Sequence, residues 1–511
     1  MKSISFTGGT MAVVLLGLTL TGCPNPLPPA AAFTASPTWG QAALPVHFSD
    51  MSLAGSADIT AWLWDFGDGA TDTTQNPDHT YAAPGTYTVS LTVTNTYGNS
   101  MHTETDYIMV SANDVIAWNN AALNAVAAAK WMPPQAARGL AMMHGAIYDA
   151  VNAVEKKGTV FHANLTALEG TSKEAAAAQA AHDVLVALFP SQMTALDAQL
   201  AASLGVIPEG AGKTAGIALG QLAAAAILQW RANDGSDMMM AMKMTMDPFM
   251  GGTNPGQWRP TPPDNLPGMF YHWQYVWPFA MMSPGQFRPG PPPVLASVAY
   301  AQDFNETKTI GAKVSASRTM DQAMMATFWI GMPGTIGEAG RMNLVAQQAA
   351  ATRQHTLFDN ARLFTLVNVA LADAAIAGID CKYEYVAWRP ITAIREAADD
   401  GNASTDADTA WEPYIGTPAH PEYVSTHSTL TKAAAVVLAE FFGGDEADLT
   451  LPAFMDPAMT RHYTSFSQVA EEAGLSRIYG GIHFRFSYTT GSEMGRQLGE
   501  YVWNNLLTPI E

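Results

Sequence analysis

The apolar residues change period near residue 113, and no single fold class accommodates both sides of that change. Upstream, Thr86-Tyr87-Thr88-Val89-Ser90-Leu91-Thr92-Val93-Thr94 alternates with a period of two and is rich in β-branched side chains, the pattern of a half-buried antiparallel strand. Downstream, residues 115–130 and 135–155 place apolar side chains three and four apart, which makes one stripe of a helix. Further helical stretches are predicted over 172–188, 210–230, 337–377, 428–442 and 491–507. The chain therefore reads as multidomain: a small all-β module over 33–112, then a large all-α body over 113–511. With 511 residues and 48% hydrophobic side chains, the body is long enough to bury a core.

Charge narrows the function. Only 14% of residues are charged, and 25 basic against 45 acidic residues give a net charge of −20. Such a chain repels phosphodiester backbones, which argues against nucleic acid as a partner. An anionic substrate has to be drawn in by a local cluster of cations. Two cysteines cannot build a disulfide scaffold. The amino terminus reads as an address: Lys2, an apolar run over 11–20, then Leu20-Thr21-Gly22-Cys23, which resembles a bacterial lipobox. Residues 1–22 are then a signal peptide, Cys23 the lipidated residue, and 23–32 a Pro/Ala tether. No later run offers about 18 uninterrupted apolar residues, so the expectation is an exported chain anchored at the bacterial cell envelope, periplasmic or outer surface, by lipid alone. Cys381 then lacks an internal partner and is expected as a buried free thiol. Between 234 and 293 the chain is rich in Met, Pro and Gly, and is expected as a long wrapped loop. Its Met238–Met250 run could bind Cu(I) through thioethers, but a flexible apolar flap fits better, because no His or Cys lies nearby.

Within the β module, Trp64-Asp65-Phe66-Gly67-Asp68-Gly69, Asn76-Pro77, His79-Thr80-Tyr81 and Gly85-Thr86-Tyr87-Thr88-Val89 resemble the polycystic kidney disease (PKD) domain. That resemblance implies an immunoglobulin-like sandwich, with Trp64 and Phe66 in its core. Asp65, Gly67, Asp68 and Gly69 make a tight turn; its carboxylates are of the kind that bind calcium, although turn formation alone explains them. The module reads as a spacer or as an adhesive surface for a protein or polysaccharide.

Three segments between 380 and 490 share one chemical logic. Lys382 and Arg389 are spaced to lie on one helical face, with the helix ending or kinking at Arg389 because Pro390 follows. Ser425 stands as an N-cap before the helix that begins near Ser428, where free backbone N–H groups bind oxyanions, and His427 stands at the mouth of that site. Arg477 and His483 add a third cation and a second imidazole.

In order and spacing, Lys382-x6-Arg389-Pro390, Ser425-x-His427 and Ser476-Arg477-x5-His483 resemble the signature of the superfamily that holds vanadium-dependent haloperoxidases, bacterial acid phosphatases and type 2 phosphatidic acid phosphatases. The flanks Trp388-Arg389-Pro390-Ile391-Thr392-Ala393, Pro421-Glu422-Tyr423 and Tyr479-Gly480-Gly481-Ile482-His483 are closer to the bacterial haloperoxidase-like branch. So are Met142-Met143-His144-Gly145 and the loop Pro255-Gly256-Gln257-Trp258-Arg259-Pro260, which is echoed by Pro284-Gly285-Gln286-Phe287-Arg288-Pro289. The resemblance implies an all-α helical bundle. It implies Lys382, Arg389, Arg477, Ser425 and the N–H of Thr426 as oxyanion-binding groups. His483 would be the axial ligand of vanadate or the nucleophile toward phosphorus, and His427 the acid–base group. It also implies vanadate as cofactor, with neither haem nor nucleotide.

The departures are specific. Thr426 stands where the family carries Gly, so a Cβ is expected to crowd the oxyanion, with strain at any positive φ. Val424 stands where Pro is common, and Ser487 where many members carry an acid that orients the last His. His420 occupies a position where algal bromoperoxidases carry His and fungal chloroperoxidases Phe, which hints at a halide site that prefers bromide. Vanadate and phosphate are near-isosteres, so three readings stay open. They are a haloperoxidase using hydrogen peroxide and halide, an acid phosphatase cleaving a small phosphate ester through a phosphohistidine, and a catalytically degenerate surface-binding protein.

Overall fold

The computed structural model describes residues 26–510 apart from 43, 84, 112–113, 237–246, 352, 354 and 455–458. Cys23 and most of the Met238–Met250 run lie outside the described residues.

The β unit is a sandwich. Leu44–Asp50 pairs antiparallel with Phe33–Ser36 and also neighbours Asp78–Tyr81. In the facing sheet Gly98–Ser111, Gly85–Asn95, Ala61–Asp65 and Thr71–Asp72 are successive neighbours. The two sheets meet through aromatic rings: Trp64 lies 5.2 Å from Phe33 and 5.4 Å from Phe48, and Phe66 lies 5.0 Å from Phe48. Trp64 and Phe66 are buried, as their placement in the core requires. Gly67 and Gly69 turn the chain at φ 79° and 92°. The Asp65 and Asp68 carboxylates accept the amides of Gly67 and Ala70, and Asp68 also meets His79 at 2.8 Å, so the turn itself uses them.

The helical unit runs in this order: α1 (Asp114–Ala128), α2 (Pro133–Glu155), α3 (Lys173–Leu188), α4 (Met193–Gly205), α5 (Ala211–Arg231), α6 (Val298–Ile310), α7 (Met320–Phe328), α8 (Gly337–Ala351), α9 (Leu357–Tyr385), α10 (Pro390–Arg395), α11 (Thr426–Phe442), α12 (Phe466–Tyr479) and α13 (Arg485–Asn505). A hairpin of Glu446–Pro452 and Thr460–Ser465 joins α11 to α12 and was not legible in the helical periodicity. At the centre stands α9, where every residue from Leu363 to Tyr383 is buried. A helix that is apolar all round has to be enclosed on all sides, and α2, α8, α11 and α13 enclose this one.

Among the described residues two helices, α5 and α9, are long and apolar enough by composition to cross a membrane, although polar residues interrupt both. The apolar window of α9 is wholly buried inside the unit, so that helix is core. The expected 337–377 helix is two helices. Thr356 breaks it: its Oγ1 accepts the Asp359 N–H while Asp359 accepts the Thr356 N–H, a reciprocal start signal.

Glycines set the pairing that matters for the site. On α13, Gly491, Gly495 and Gly499 face α11, and a Cβ on Gly495 would stand 2.4 Å from the Thr429 carbonyl oxygen. The two backbones therefore touch, which holds the first turn of α11 in place. Most described residues between α5 and α6 form the expected wrapped chain, interrupted by a 3-10 turn at Tyr271–Tyr275.

Candidate oxyanion site

The sequence placed Lys382 and Arg389 on one helical face. The structure separates them. Helix α9 ends at Tyr385, with Val386 in the left-handed region at φ 50°, and Arg389 is the extended N-cap of α10, with Pro390 at its first position. Proline restricts the residue before it to extended geometry, so the helix has to end before Arg389. The two hexapeptide loops brace this stretch. Trp258 N–H donates to the Val386 carbonyl at 2.7 Å and Trp388 N–H to the Gly256 carbonyl at 2.9 Å, while Arg288 clamps Asp380 at 2.8 and 2.9 Å.

Lys382 is fully buried, and its ammonium donates to the carbonyls of Pro421, Glu422 and Val424 at 3.1, 2.8 and 2.6 Å. Burial and the Arg389 charge pull its pKa well below the ordinary value, but three carbonyl acceptors call for three N–H donors, which is the ammonium form. Lys382 thus pins the loop that presents Ser425. Arg389, also fully buried, donates from Nε to the His420 carbonyl at 2.8 Å, from one terminal nitrogen to His420 Nδ1 at 2.8 Å, and from the other to the Ile482 carbonyl at 2.8 Å and to His483 Nε2 at 3.3 Å. Burial lowers it to about 10, so it stays charged. Because arginine only donates, His420 accepts through Nδ1, and its proton sits on Nε2. His420, left open by sequence, is thereby part of this cluster.

His483 reveals the residue that sequence reasoning missed. Glu422 Oε1 lies 2.7 Å from His483 Nδ1 and also accepts the Phe484 N–H at 3.0 Å. An acid was expected four residues after the histidine, where Ser487 stands 3.5 Å from Nδ1; the structure supplies the carboxylate from another segment. With Nδ1–H donating to Glu422, His483 presents its Nε2 lone pair beside Arg389. Burial raises the Glu422 carboxyl to about 7 against the pull of Lys382 and Arg389, and its Oε2 is buried without a partner among the described residues. Burial together with Arg389 and Lys382 holds His483 far below its ordinary pKa, hence neutral.

The second imidazole has its own acid. His427 Nε2 lies 2.6 Å from Glu338 Oε1 and 3.3 Å from the Trp329 carbonyl. Glu338 is the second residue of α8; burial works against its charge, but His427 and Arg477 hold it at about 2. Nothing in the sequence links Glu338 to His427. Arg477, on the last turn of α12, donates to Ser476 Oγ at 2.9 Å and to the Ala326 carbonyl at 3.1 Å, and burial lowers it to about 10.

Ser425 caps α11 as expected, with Ser428 Oγ 2.9 Å from its hydroxyl. Thr426 opens the helix and is not among the positive-φ residues, so the expected backbone strain is absent. Its side chain faces Gly378 on α9, where a Cβ would come within 3.2 Å of Thr426 Cγ2. Its Oγ1 is buried without a hydrogen-bond partner among the described residues. A cavity of about 190 Å³ opens beside this cluster, with Glu338, His420, Thr426, His427 and His483 on its polar side and mostly apolar residues elsewhere. Cys381 is fully buried, and burial pushes its thiol up to about 12.

Fold and site together define a β-sandwich followed in the chain by a helical domain that buries a cluster of cations, imidazoles and carboxyls. Residues 26–110 match the family model of the PKD domain, and residues 362–511 that of the VCPO second helical-bundle domain. Vanadium chloroperoxidase of Curvularia inaequalis is 28% identical over 174 residues, covering 25% of this chain and 28% of its own length. Microbial collagenase of Vibrio alginolyticus is 42% identical over 64 residues, covering 12% of this chain and 8% of its own. Among solved structures, that of the first bacterial vanadium-dependent iodoperoxidase matches with a TM-score of 0.65 at 29% identity, over 77% of this chain and 97% of that one. The chain thus carries a PKD-like β domain followed by a helical domain that matches the vanadium haloperoxidase fold.

Proposed function

We propose that the chain is a vanadium-dependent haloperoxidase-like enzyme that oxidises halide, bromide by preference, with hydrogen peroxide. The observation that carries this reading is His483, neutral and held by Glu422 so that its Nε2 lone pair points away from the acid and toward Arg389. The residues present fit an oxyanion. Three buried cations, Lys382, Arg389 and Arg477, gather around two buried carboxyls, and Thr426 Oγ1 has no partner among the described residues. His483 would hold vanadate, Arg389, Arg477, Ser425 and the start of α11 would surround it, and Lys382 would fix the loop between them. Bound vanadate would activate hydrogen peroxide for two-electron oxidation of halide.

The chain's own groups supply the rest. Glu338 holds His427 through Nε2, which leaves Nδ1 for the acid–base role. His420 offers an Nε2–H beside Arg389, a donor suited to a halide. In this reading the chain is exported, held at the envelope through a lipid on Cys23, and its PKD module engages a surface protein or polysaccharide. Radiolabelled palmitate entering the wild type and not Cys23→Ser tests the anchor.

Catalysis is tested by stripping the purified protein of metals, adding orthovanadate, and following bromide- and peroxide-dependent bromination of a dione dye. Vanadate-dependent bromination suppressed by phosphate supports the proposal. Phosphate-ester hydrolysis blocked by vanadate, with no bromination, replaces it with a phosphatase using the same His483.

A further inference from the structure

His427 is held through one ring nitrogen, by two acceptors that lie at the two ends of a single loop. Its Nε2 stands 2.6 Å from Glu338 Oε1, in the first turn of α8, and 3.3 Å from the carbonyl of Trp329, the residue that closes α7. The sequence between them, Ile330-Gly331-Met332-Pro333-Gly334-Thr335-Ile336-Gly337, has little stiffness of its own. Gly334 and Gly337 sit at φ 97° and 61°, a region that glycine enters without strain. An acid–base group acts only within hydrogen-bond reach of the proton it moves, so whatever fixes these two acceptors has to come from outside the loop.

The fastening comes from buried groups on α8, α12 and the 446–465 hairpin. Trp329 is buried, and its indole N–H donates to Glu472 Oε1, on α12, at 3.1 Å. The same oxygen accepts the Tyr463 hydroxyl at 2.7 Å and faces the Arg461 guanidinium at 2.7 Å, both from the hairpin. Arg461 also reaches Asp321, in the first turn of α7, at 2.9 Å. Arg341, one turn beyond Glu338 on α8, is fully buried and holds the residue before Trp329: it donates to the Phe328 carbonyl at 3.2 Å and to the Pro452 carbonyl at 3.0 Å. Its guanidinium lies 4.0, 4.9 and 3.9 Å from the ring centres of Phe328, Trp329 and Phe454. A buried cation opposes folding unless its surroundings compensate, and here carbonyls and ring faces do so. The hairpin thus grips α7 at both ends, and the Trp329 ring is the part of that grip next to His427.

We propose that Glu472 is a positioning residue for His427: by holding the Trp329 indole it fixes the carbonyl that, together with Glu338, takes the imidazole N–H. Glu472 touches no reacting atom. Its catalytic meaning rests on the proposed acid–base role of His427. With the ring held at Nε2, Nδ1 keeps one direction. With Trp329 released, the imidazole keeps Glu338 alone and can turn about that single contact, which misplaces the group that moves the proton.

Two variants cut this link. Trp329→Phe removes the indole N–H and keeps a ring against Arg341, and Glu472→Gln keeps the shape and weakens the acceptor. In full-length protein carrying isotope-labelled histidine, the Nε2–H resonance of His427 is assigned by its loss in His427→Ala. Both variants are expected to shift that resonance and to speed its exchange with solvent about tenfold, while circular dichroism shows the fold kept. A resonance that neither variant moves overturns the positioning. On vanadate-loaded protein, Trp329→Phe is expected to lower kcat for bromide oxidation about tenfold, to leave vanadate affinity within about twofold, and to cause no further loss in the His427→Ala background. An equal loss in that background, or a parallel loss of vanadate affinity, overturns action through His427. A wild type without vanadate-dependent oxidation refutes the proposed activity alone, and the resonance still decides whether Glu472 holds the imidazole.

Discussion

Glu422→Gln isolates the contribution of one negative charge. Glutamine keeps the shape and can still accept the Nδ1–H of His483, from 2.7 Å in the wild type, and the amide of Phe484. What is lost is the ionic character of the acceptor. A hydrogen bond to a charged group contributes about 1.5–3 kcal/mol against about 0.5–1.5 for a neutral one. The difference, about 1.4 kcal/mol, is about tenfold in oxyanion affinity, within the range of about 10–100-fold seen when the partner of a metal-binding histidine is changed. Calorimetric titration of orthovanadate or phosphate into the metal-free protein reads this directly.

Because burial raises Glu422 to about 7, the wild type carries this charge at pH 8.5 and has largely lost it at pH 5.5. The tenfold gap between wild type and Glu422→Gln is therefore expected at pH 8.5 and should close at pH 5.5, a comparison in which the anion's own titration cancels. A folded-state pKa above the unfolded value makes ionisation cost stability as pH climbs from about 4.5 through 7. Glu422→Gln is therefore expected to melt higher than wild type at pH 8.5, which separates weak binding from misfolding. Adding Ser487→Asp, at a position 3.5 Å from the same nitrogen, is expected to recover much of the affinity. An unchanged affinity at pH 8.5, or a gap of equal size at both pH values, would refute the role of Glu422.

Three further outcomes follow from the same geometry. Glu338, held at about 2, stabilises the fold above its unfolded pKa of about 4.5 and loses that contribution as pH falls toward 2; Glu338→Gln should flatten the melting temperature across that interval. Gly495→Ala places a Cβ 2.4 Å from the Thr429 carbonyl and should cost about 1–3 kcal/mol as α13 is pushed off α11, read as a lower urea midpoint. Thr426→Val keeps the packing against Gly378 and removes the unpartnered hydroxyl, so phosphate affinity should fall about fivefold, consistent with one neutral hydrogen bond.

Much of this site was legible from sequence because its basic and imidazole residues sit in short ordered motifs. Ser425 before α11, the Arg477–His483 segment and the proline that fixes Arg389 each carry a local signal. Helix α9 ending at Tyr385, four residues before Arg389, was not, because a left-handed Val386 has no compositional mark. The two acids escaped for a different reason. Glu338 precedes His427 by a long stretch of chain, and Glu422 reaches His483 across another, so each pairing exists only once the helices have packed. The 446–465 hairpin hid inside a helical texture, although Leu449 and Leu451 alternate inward as strand residues do.

The most direct measurement is the rate of bromide oxidation by hydrogen peroxide as orthovanadate is titrated into metal-free wild type and into His483→Ala. Saturation with vanadate in the wild type, competition by phosphate, and a flat response in a folded His483→Ala are expected. Oxidation that is independent of vanadate, or that survives intact in His483→Ala, would contradict the assignment of this cluster as the working centre.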